Sequence, residues 1–531
     1  MNEFVQLPRR VIPRWRDFAT TAALGELGSL KSSRTPENPR ADLALAKDNW
    51  VAFKSPLSAG ELLTAALIEK DWPALTEAAQ YLSGEDVVAS EFIKDIARHA
   101  LEWAIAKNPF LEPELSATHT PVFNPSIIGS IRRILSNFSN SPIHWVELAL
   151  GYSIIGRPEK ARRAILTALH LAPNDRFVLR CATRLFLHQD DPDLALDVLN
   201  GSSRTPSDSW LLSAHLSVAA ILGKDSKFHK QARRTFDSLS ISPFHLSELG
   251  SALATTELAG GNSQKAKKLF RRALLDPTEN ALAQALWAKN KIAIEQQNNL
   301  LKLPRSFEAN ARFLIQAEKW NQATTATQAW QTDEPFSSRP AGLGSFLAIT
   351  AQEDFKKAIQ IVHTGLIANP GDPTLINNLV YAYACSGRIE DARKVLTQYP
   401  CKDCPPEQEI ALLATAGLIE YRAGNTLEAR AKYNEAMELA KVLKLQSYYI
   451  RAKIHYAREE LRADPSKSQQ AVLEALSLGK KDNDPIVKLT LSKLNEDLEK
   501  AGIPIASKIL KVTPTLKQHT VNQSLLKRGD S

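Results

Sequence analysis

The stretch Trp145–Pro173, WVELALGYSIIGRPEKARRAILTALHLAP, decides how this 531-residue chain folds. Trp145, Leu148, Ala149 and Tyr152 recur on one face of a helix, and Ala161, Ile165 and Ala168 on one face of a second. Gly156, Arg157 and Pro158 make the turn between them. Pro158 stands near the start of the second helix, where a missing N–H costs nothing, and Pro173 stops it. The spacing has a packing reason. Ala149 and Ala161 are small where two antiparallel helices cross, while Trp145, Leu148 and Tyr152 fill the space around them.

The same second-helix alanine returns at Ala195, 34 residues on, and again from Ala232 to Ala266 at the same interval. Ala323, Ala358, Ala392 and Ala429 continue it at intervals of 35, 34 and 37. Companions travel with it, as in Tyr383, Gly387, Ala392 and Leu396, or Gly417, Gly424, Ala429, Tyr433 and Ala436. A fixed period of this length is the mark of a helix-pair array. Over roughly residues 141 to 445 the chain therefore resembles the tetratricopeptide-repeat (TPR) family. The resemblance implies an all-α, TPR-like antiparallel helix-pair solenoid, a right-handed superhelix with irregular N- and C-terminal segments. It also implies a concave face lined by successive first helices.

Between Ala266 and Ala323 lie 57 residues, enough for one extra helix, which we place at Glu279–Asn298, followed by a junction at Leu301–Ser306 containing Pro304. The expected organisation follows. Residues 1–56 form a basic, Pro-containing arm and 57–140 a degenerate helical region in which Leu62, Ala65, Ala66 and Ala78 hint at a further pair. The two repeat blocks are 141–278 and 306–445, separated by the extra helix and junction at 279–305. Capping helices at Gln446–Arg462, Lys467–Leu478 and Ile486–Lys500 fill 446–502, and 503–531 is a basic flexible tail.

Composition narrows the function. Four cysteines in 531 residues cannot staple a secreted scaffold, which suits a reducing compartment and a cytoplasmic location. The longest uncharged apolar stretch, Ser209–Gly223, is shorter than the roughly 20 residues a spanning helix needs. No nucleotide-binding, zinc-protease or nucleophile-elbow pattern occurs, so the chain reads as a non-enzyme with no cofactor and no metal site. Cys401-Lys402-Asp403-Cys404 is a lone C-x-x-C with no second pair to complete a zinc tetrahedron, and reads as an ordinary loop.

The formal charge of +8 sits mainly at the ends, +3 over residues 1–40 and +4 over 502–531. Within the repeats, Arg180, Arg184 and His188 fall at i, i+4 and i+8 of one first helix. Arg305 and Arg312 have equivalent spacing in another, and Asn377, Asn378 and Tyr381 in a third. The family pattern turns such stripes into the groove, where arginine forks and asparagine amides suit an acidic partner segment. The carboxylate clamp of chaperone adaptors is missing, its positions being held by Val146, Leu150, Ala411 and Thr415. The expectation is a scaffold, adaptor or sensor subunit of a larger complex that binds another protein, either through an acidic segment or as the companion of a separately encoded effector enzyme. The alternative is a nucleic-acid-associated regulator whose arm, Arg9, Arg10, Arg14, Trp15 and Arg16, docks on phosphates while Trp15 stacks.

Overall fold

A computed structural model of the chain describes residues 10–15, 39–52, 54, 56–69, 71–84, 87, 94, 97–98, 100–101, 126–137, 139–238, 241, 243–289, 292–293, 303, 306–400 and 404–503. Among the described residues every regular element is helical. The chain divides into two compact units, Met1–Cys404 and Pro405–Ser531.

The first unit opens with α1 (Pro39–Ala52), α2 (Pro56–Glu69), α3 (Trp72–Ser83) and α4 (Ser126–Asn137). Four helix pairs follow: α5 (Pro142–Ile154) with α6 (Pro158–Leu171), α7 (Arg176–His188) with α8 (Pro192–Gly201), α9 (Ser209–Ile221) with α10 (His229–Asp237), and α11 (Pro243–Ala259) with α12 (Ser263–Ala273). A single helix, α13 (Glu279–Ala288), precedes three more pairs. These are α14 (Phe307–Gln316) with α15 (Trp320–Asp333), α16 (Ser338–Thr350) with α17 (Phe355–Ala368), and α18 (Pro373–Cys385) with α19 (Ile389–Gln398). The second unit holds α20 (Pro406–Arg422) with α21 (Thr426–Val442), α22 (Gln446–Ala463) with α23 (Gln469–Gly479), and α24 (Pro485–Lys500).

Local sequence sets these boundaries. Asp175, Asp191, Asp354 and Asp372 each accept a hydrogen bond from a backbone N–H of the first turn they precede. Such caps satisfy donors that no carbonyl reaches. Proline at the first or second position starts α5, α6, α8 and α18. The repeating alanines Ala161, Ala195, Ala232, Ala266, Ala323, Ala358 and Ala392 are all 0% exposed. They are the crossing points the sequence spacing implied.

The arm departs from expectation. Residues 1–56 are not extended throughout, because α1 lies within them. Leu43, Ala46 and Trp50 share one face of α1, and Trp50 donates its indole N–H to Glu77 at 2.9 Å and packs edge-on against Tyr81. Pro39 is the first residue of the helix, where proline is tolerated, so it starts α1 instead of breaking it. The extra helix is present but shorter than expected, ending at Ala288. The expected junction at 279–305 lies inside the first unit, and the division between units falls at Cys404. Cys404 is disulfide-bonded, Cys181 and Cys385 are free thiols, and Cys401 lies outside the described residues.

The α5–α6 turn brings distant repeats of the first unit together. Gly156 has φ +66, and a Cβ there would stand 2.2 Å from the carbonyl oxygen of Ile367 on α17. Gly387, between α18 and α19, has φ +78 but open space around it. Both positions charge an L-residue about 1–2 kcal/mol for the left-handed conformation. Only Gly156 adds a backbone clash. Thermal melts of Gly156→Ala and Gly387→Ala are expected to show the first variant clearly less stable. Equal losses would mean that the α5–α6 turn does not dock on α17.

Candidate functional site

A stretch of the N-terminal arm, residues 10–15, lies buried against the first helices of unit 1. Pro13 fixes its own φ and pushes Ile12 toward extended backbone, so Val11-Ile12-Pro13 runs as a strand-like segment without a partner strand. Its carbonyls are met by side chains. Ser217 on α9 donates to Val11 O at 2.9 Å, and Asn280 on α13 donates to Ile12 O at 2.8 Å. The Cys181 thiol on α7 points to Trp15 O at 3.8 Å. These partners come from α7, α9 and α13, of which only α7 carries residues that the repeat spacing assigned to the groove.

Arg14 is the charged anchor of the segment. Its guanidinium stands 2.7 Å from Asp333 Oδ2 and 3.5 Å from Glu334 Oε2, at the C-terminal end of α15, where the helix dipole also favours a cation. Burial pulls its pKa down, but Glu334, Asp333, Glu279 and Glu308 more than offset this and hold it above the ordinary value. Glu334 is also fixed by the indole N–H of Trp330 at 2.6 Å. Trp15 is 1% exposed and meets Phe336 edge-on at 5.7 Å.

The residues singled out in the sequence occupy distinct places. Arg180 is buried and binds Glu248 at 3.1 Å, below the face of Trp210. Glu248 in turn accepts from Asn280 at 2.9 Å, which links the pair to the segment. Arg184 lies over the Phe336 ring at 4.7 Å, and burial lowers its pKa to about 10. His188 meets the same ring edge-on, 5.2 Å from Phe336. Arg312 is held by Glu308 on its own helix at 2.9 Å, and Arg339 binds the same carboxylate. Asn378 faces α16, donating to Gly342 O at 3.0 Å and to Ser345 Oγ at 2.9 Å, so its amide serves helix stacking. Asn377 is buried and Tyr381 half-buried on the same helix. Arg10 is half-buried, with its pKa lowered by desolvation. Arg9, Arg16 and Arg305 lie outside the described residues.

Arg180 and Arg312 are matched by Glu248 and Glu308, and the basic group that meets Asp333 belongs to the N-terminal segment. Arg14 and Trp15, expected to reach phosphates and bases, are buried against Asp333 and Phe336 instead. Reversing Arg180 to glutamate would bury two carboxylates together. Breaking a buried pair costs about 3–5 kcal/mol, which makes that change a folding mutation and not a clean probe of binding. The sequence reading missed Ser217, Glu248, Asn280, Asp333, Glu334 and Phe336. For Glu248 a signal was present, a lone carboxylate amid the apolar run Phe244–Ala254, since buried charges need partners.

A second, open cavity of about 440 Å³ lies between α4, α5 and α6, lined by Arg132, Trp145, Tyr152, Lys160 and Arg163. Its cations are at the surface, whereas the charges of the groove are desolvated. The groove is therefore the better built site.

The fold defines a class, the all-α helix-pair repeat proteins of TPR-like type. The chain matches no protein-family model and no curated protein. Among solved structures it is similar to the APC/C hetero-tetramer Cut9–Hcn1, at 12% identity and a TM-score of 0.38, covering 86% of this chain and 93% of that one. It is also similar to yeast Tom70, at 13% identity and a TM-score of 0.31, covering 88% and 100%. For the human IFIT1 dimer with m7Gppp-AAAA the values are 13% and 0.28, covering 91% and 94%. At these values the likeness adds nothing to what the helices themselves show. No described helix is long and apolar enough to cross a membrane, and the described residues include no cluster suited to a metal ion.

The groove carries a pH dependence. Burial, then Arg184, lowers the pKa of His188 to about 4, against a hydrogen bond with the Ala368 backbone. Burial, then Lys227, lowers that of His215 to about 4. Below the ordinary value of 6.5 the unfolded chain binds protons that the folded chain refuses, so stability falls as pH drops from 6.5 toward about 4. Melting temperatures measured at pH 7, 5.5 and 4.5 are expected to decline, and His188→Leu to flatten the decline. A melting temperature constant down to pH 4.5 would contradict this assignment.

Proposed function

We propose that the chain is a non-enzymatic scaffold or adaptor, a subunit of a larger assembly, whose concave groove in the first unit holds an extended segment of a partner protein. One observation carries the reading. The groove already holds an extended stretch, residues 10–15, through side-chain hydrogen bonds to its carbonyls and through one charged and one aromatic anchor. Side chains that satisfy main-chain carbonyls give affinity to any extended chain, and anchors for alternate side chains give selectivity, the division of labour seen in peptide recognition generally. Buried Arg and Trp anchors are the residue types enriched at binding hot spots. The same observation favours a protein partner over nucleic acid, because Arg14 and Trp15 are committed to the groove. A cytoplasmic location rests on the low cysteine count alone, since Cys404 is disulfide-bonded, and no cofactor is invoked.

Ser217 tests the groove directly, since its hydroxyl faces the bound backbone at 2.9 Å. In Ser217→Phe the ring would fill that path. A partner that co-purifies with the tagged wild-type chain should be lost from the variant, by tenfold or more, while circular dichroism remains helical. Full retention of the partner by a folded variant would move the site elsewhere.

A further inference from the structure

We infer that residues 10–15 are a tethered competitor, and that the partner segment which displaces them shares their chemistry: an extended stretch with a β-branched residue, then proline and arginine, then an aromatic ring. The inference rests on the groove reading above and names the ligand class of that groove.

The groove's own charges point to an occupant that can leave. Arg180 pairs with Glu248, and Arg312 and Arg339 share Glu308, so these groups are compensated without the segment. Asp333 and Glu334 are the acids in direct contact with Arg14, with Arg184 and Arg339 also acting on Glu334, and a buried carboxylate is costly without a cationic partner. An incoming segment must therefore bring an arginine at this place. Lysine would supply charge, but not the planar fork that spans two neighbouring carboxylates.

The ring site next to it is defined by Phe336, with Arg184 over one part of Phe336 and His188 edge-on to another. It selects an aromatic side chain by shape. Trp15 fills it imperfectly, for its indole N–H is buried and meets no acceptor among the described residues. An unpaired buried donor weakens binding, so a partner whose ring lacks that donor would outcompete Trp15 at equal geometry. The backbone contacts agree with this view. Ser217 and Asn280 bind carbonyl groups, which every sequence supplies, and position 13 is buried where proline brings no N–H that needs a partner. Among the described residues, the helices reach residues 10–15 through side chains, as Ser217 and Asn280 do.

Because the competitor is carried on the same chain, it acts at high effective concentration, and a partner's apparent affinity is reduced by the fraction of molecules whose groove is open. The probe is a fluorescent synthetic peptide with the sequence of residues 8–18, titrated into full-length protein. Binding to the Arg14→Ala/Trp15→Ala double variant is expected to be at least tenfold tighter than to the wild type, and to disappear when Ser217→Phe is added. Trp15→Ala alone provides a milder release should the double variant fold poorly. Equal, weak binding to the wild type and to a folded released variant would overturn the inference. So would loss of folding in both variants, which would make residues 10–15 a fixed part of the core. A wild-type chain that dimerises with concentration, with the dimer abolished by Trp15→Ala, would assign the occupant to a second copy and overturn the separate partner. If the peptide fails while Ser217→Phe still loses its partner, only the ligand chemistry is wrong; if the partner survives Ser217→Phe, the groove reading itself fails.

Discussion

Two helices can approach closely only where a side chain is nearly absent, and this constraint underlies the whole structure. Ala161, Ala195, Ala232, Ala266, Ala323, Ala358 and Ala392 are completely buried in the first unit, and Ala429 in the second. Glycines do the same at other contacts. A Cβ on Gly250 would stand 2.5 Å from the Phe236 ring, and one on Gly417 would stand 2.6 Å from the Tyr433 ring. Close approach at one point in each pair lets large residues interlock around it, at the density of protein interiors. Once the pairs stack in register, their first helices share one face, and the groove of the first unit is a consequence of that stacking.

The groove is unusual in what it buries. A typical interior excludes charge, yet here Arg14, Arg180, Arg184, Glu248, Glu279, Glu308 and Glu334 are all nearly inaccessible. Desolvating such groups is costly unless each is paired and hydrogen-bonded. The pairs bind together parts of the unit that are far apart in sequence: Arg180 with Glu248 across 68 positions, Arg14 with Asp333 across 319. Buried pairs add little net stability against an apolar replacement. Their geometric demand, however, makes the groove discriminating, since a misplaced or missing charge leaves its partner exposed to the full desolvation penalty.

In the second unit the same device appears without an extended occupant among the described residues. Arg430 forks onto Glu460 at 2.6 and 2.9 Å, and Arg458 meets Asp497 at 2.7 Å. Burial, then Arg458 and Arg451, lowers the pKa of His455 to about 3, which keeps it neutral beside these cations. Ion pairs between helices thus recur in both units.

Helix pairs were legible from the sequence because small-residue spacing, proline starts and aspartate caps act within about 35 residues of chain. The membership of Arg180, Arg184 and His188 in a first helix followed from the same period. Local signals of that range could not reveal that Pro39–Ala52 is held as a helix by Trp50 packing on Tyr81, nor that Glu248 and Asp333 would neutralise arginines distant in the chain. The destination of Arg14 and Trp15 was hidden for the same reason. Around Arg14 and Trp15 the arm is basic and proline-containing with no periodic apolar face, so that stretch resembles a solvated tail. Only the stacked repeats create the buried carboxylates and the Phe336 ring that take it in. The sequence by itself determined which segments become helices and which residues may touch at their crossings, since both are properties of short spans. The tertiary structure decided what fills the groove, because a charge can be buried only where folding brings its counter-charge to meet it.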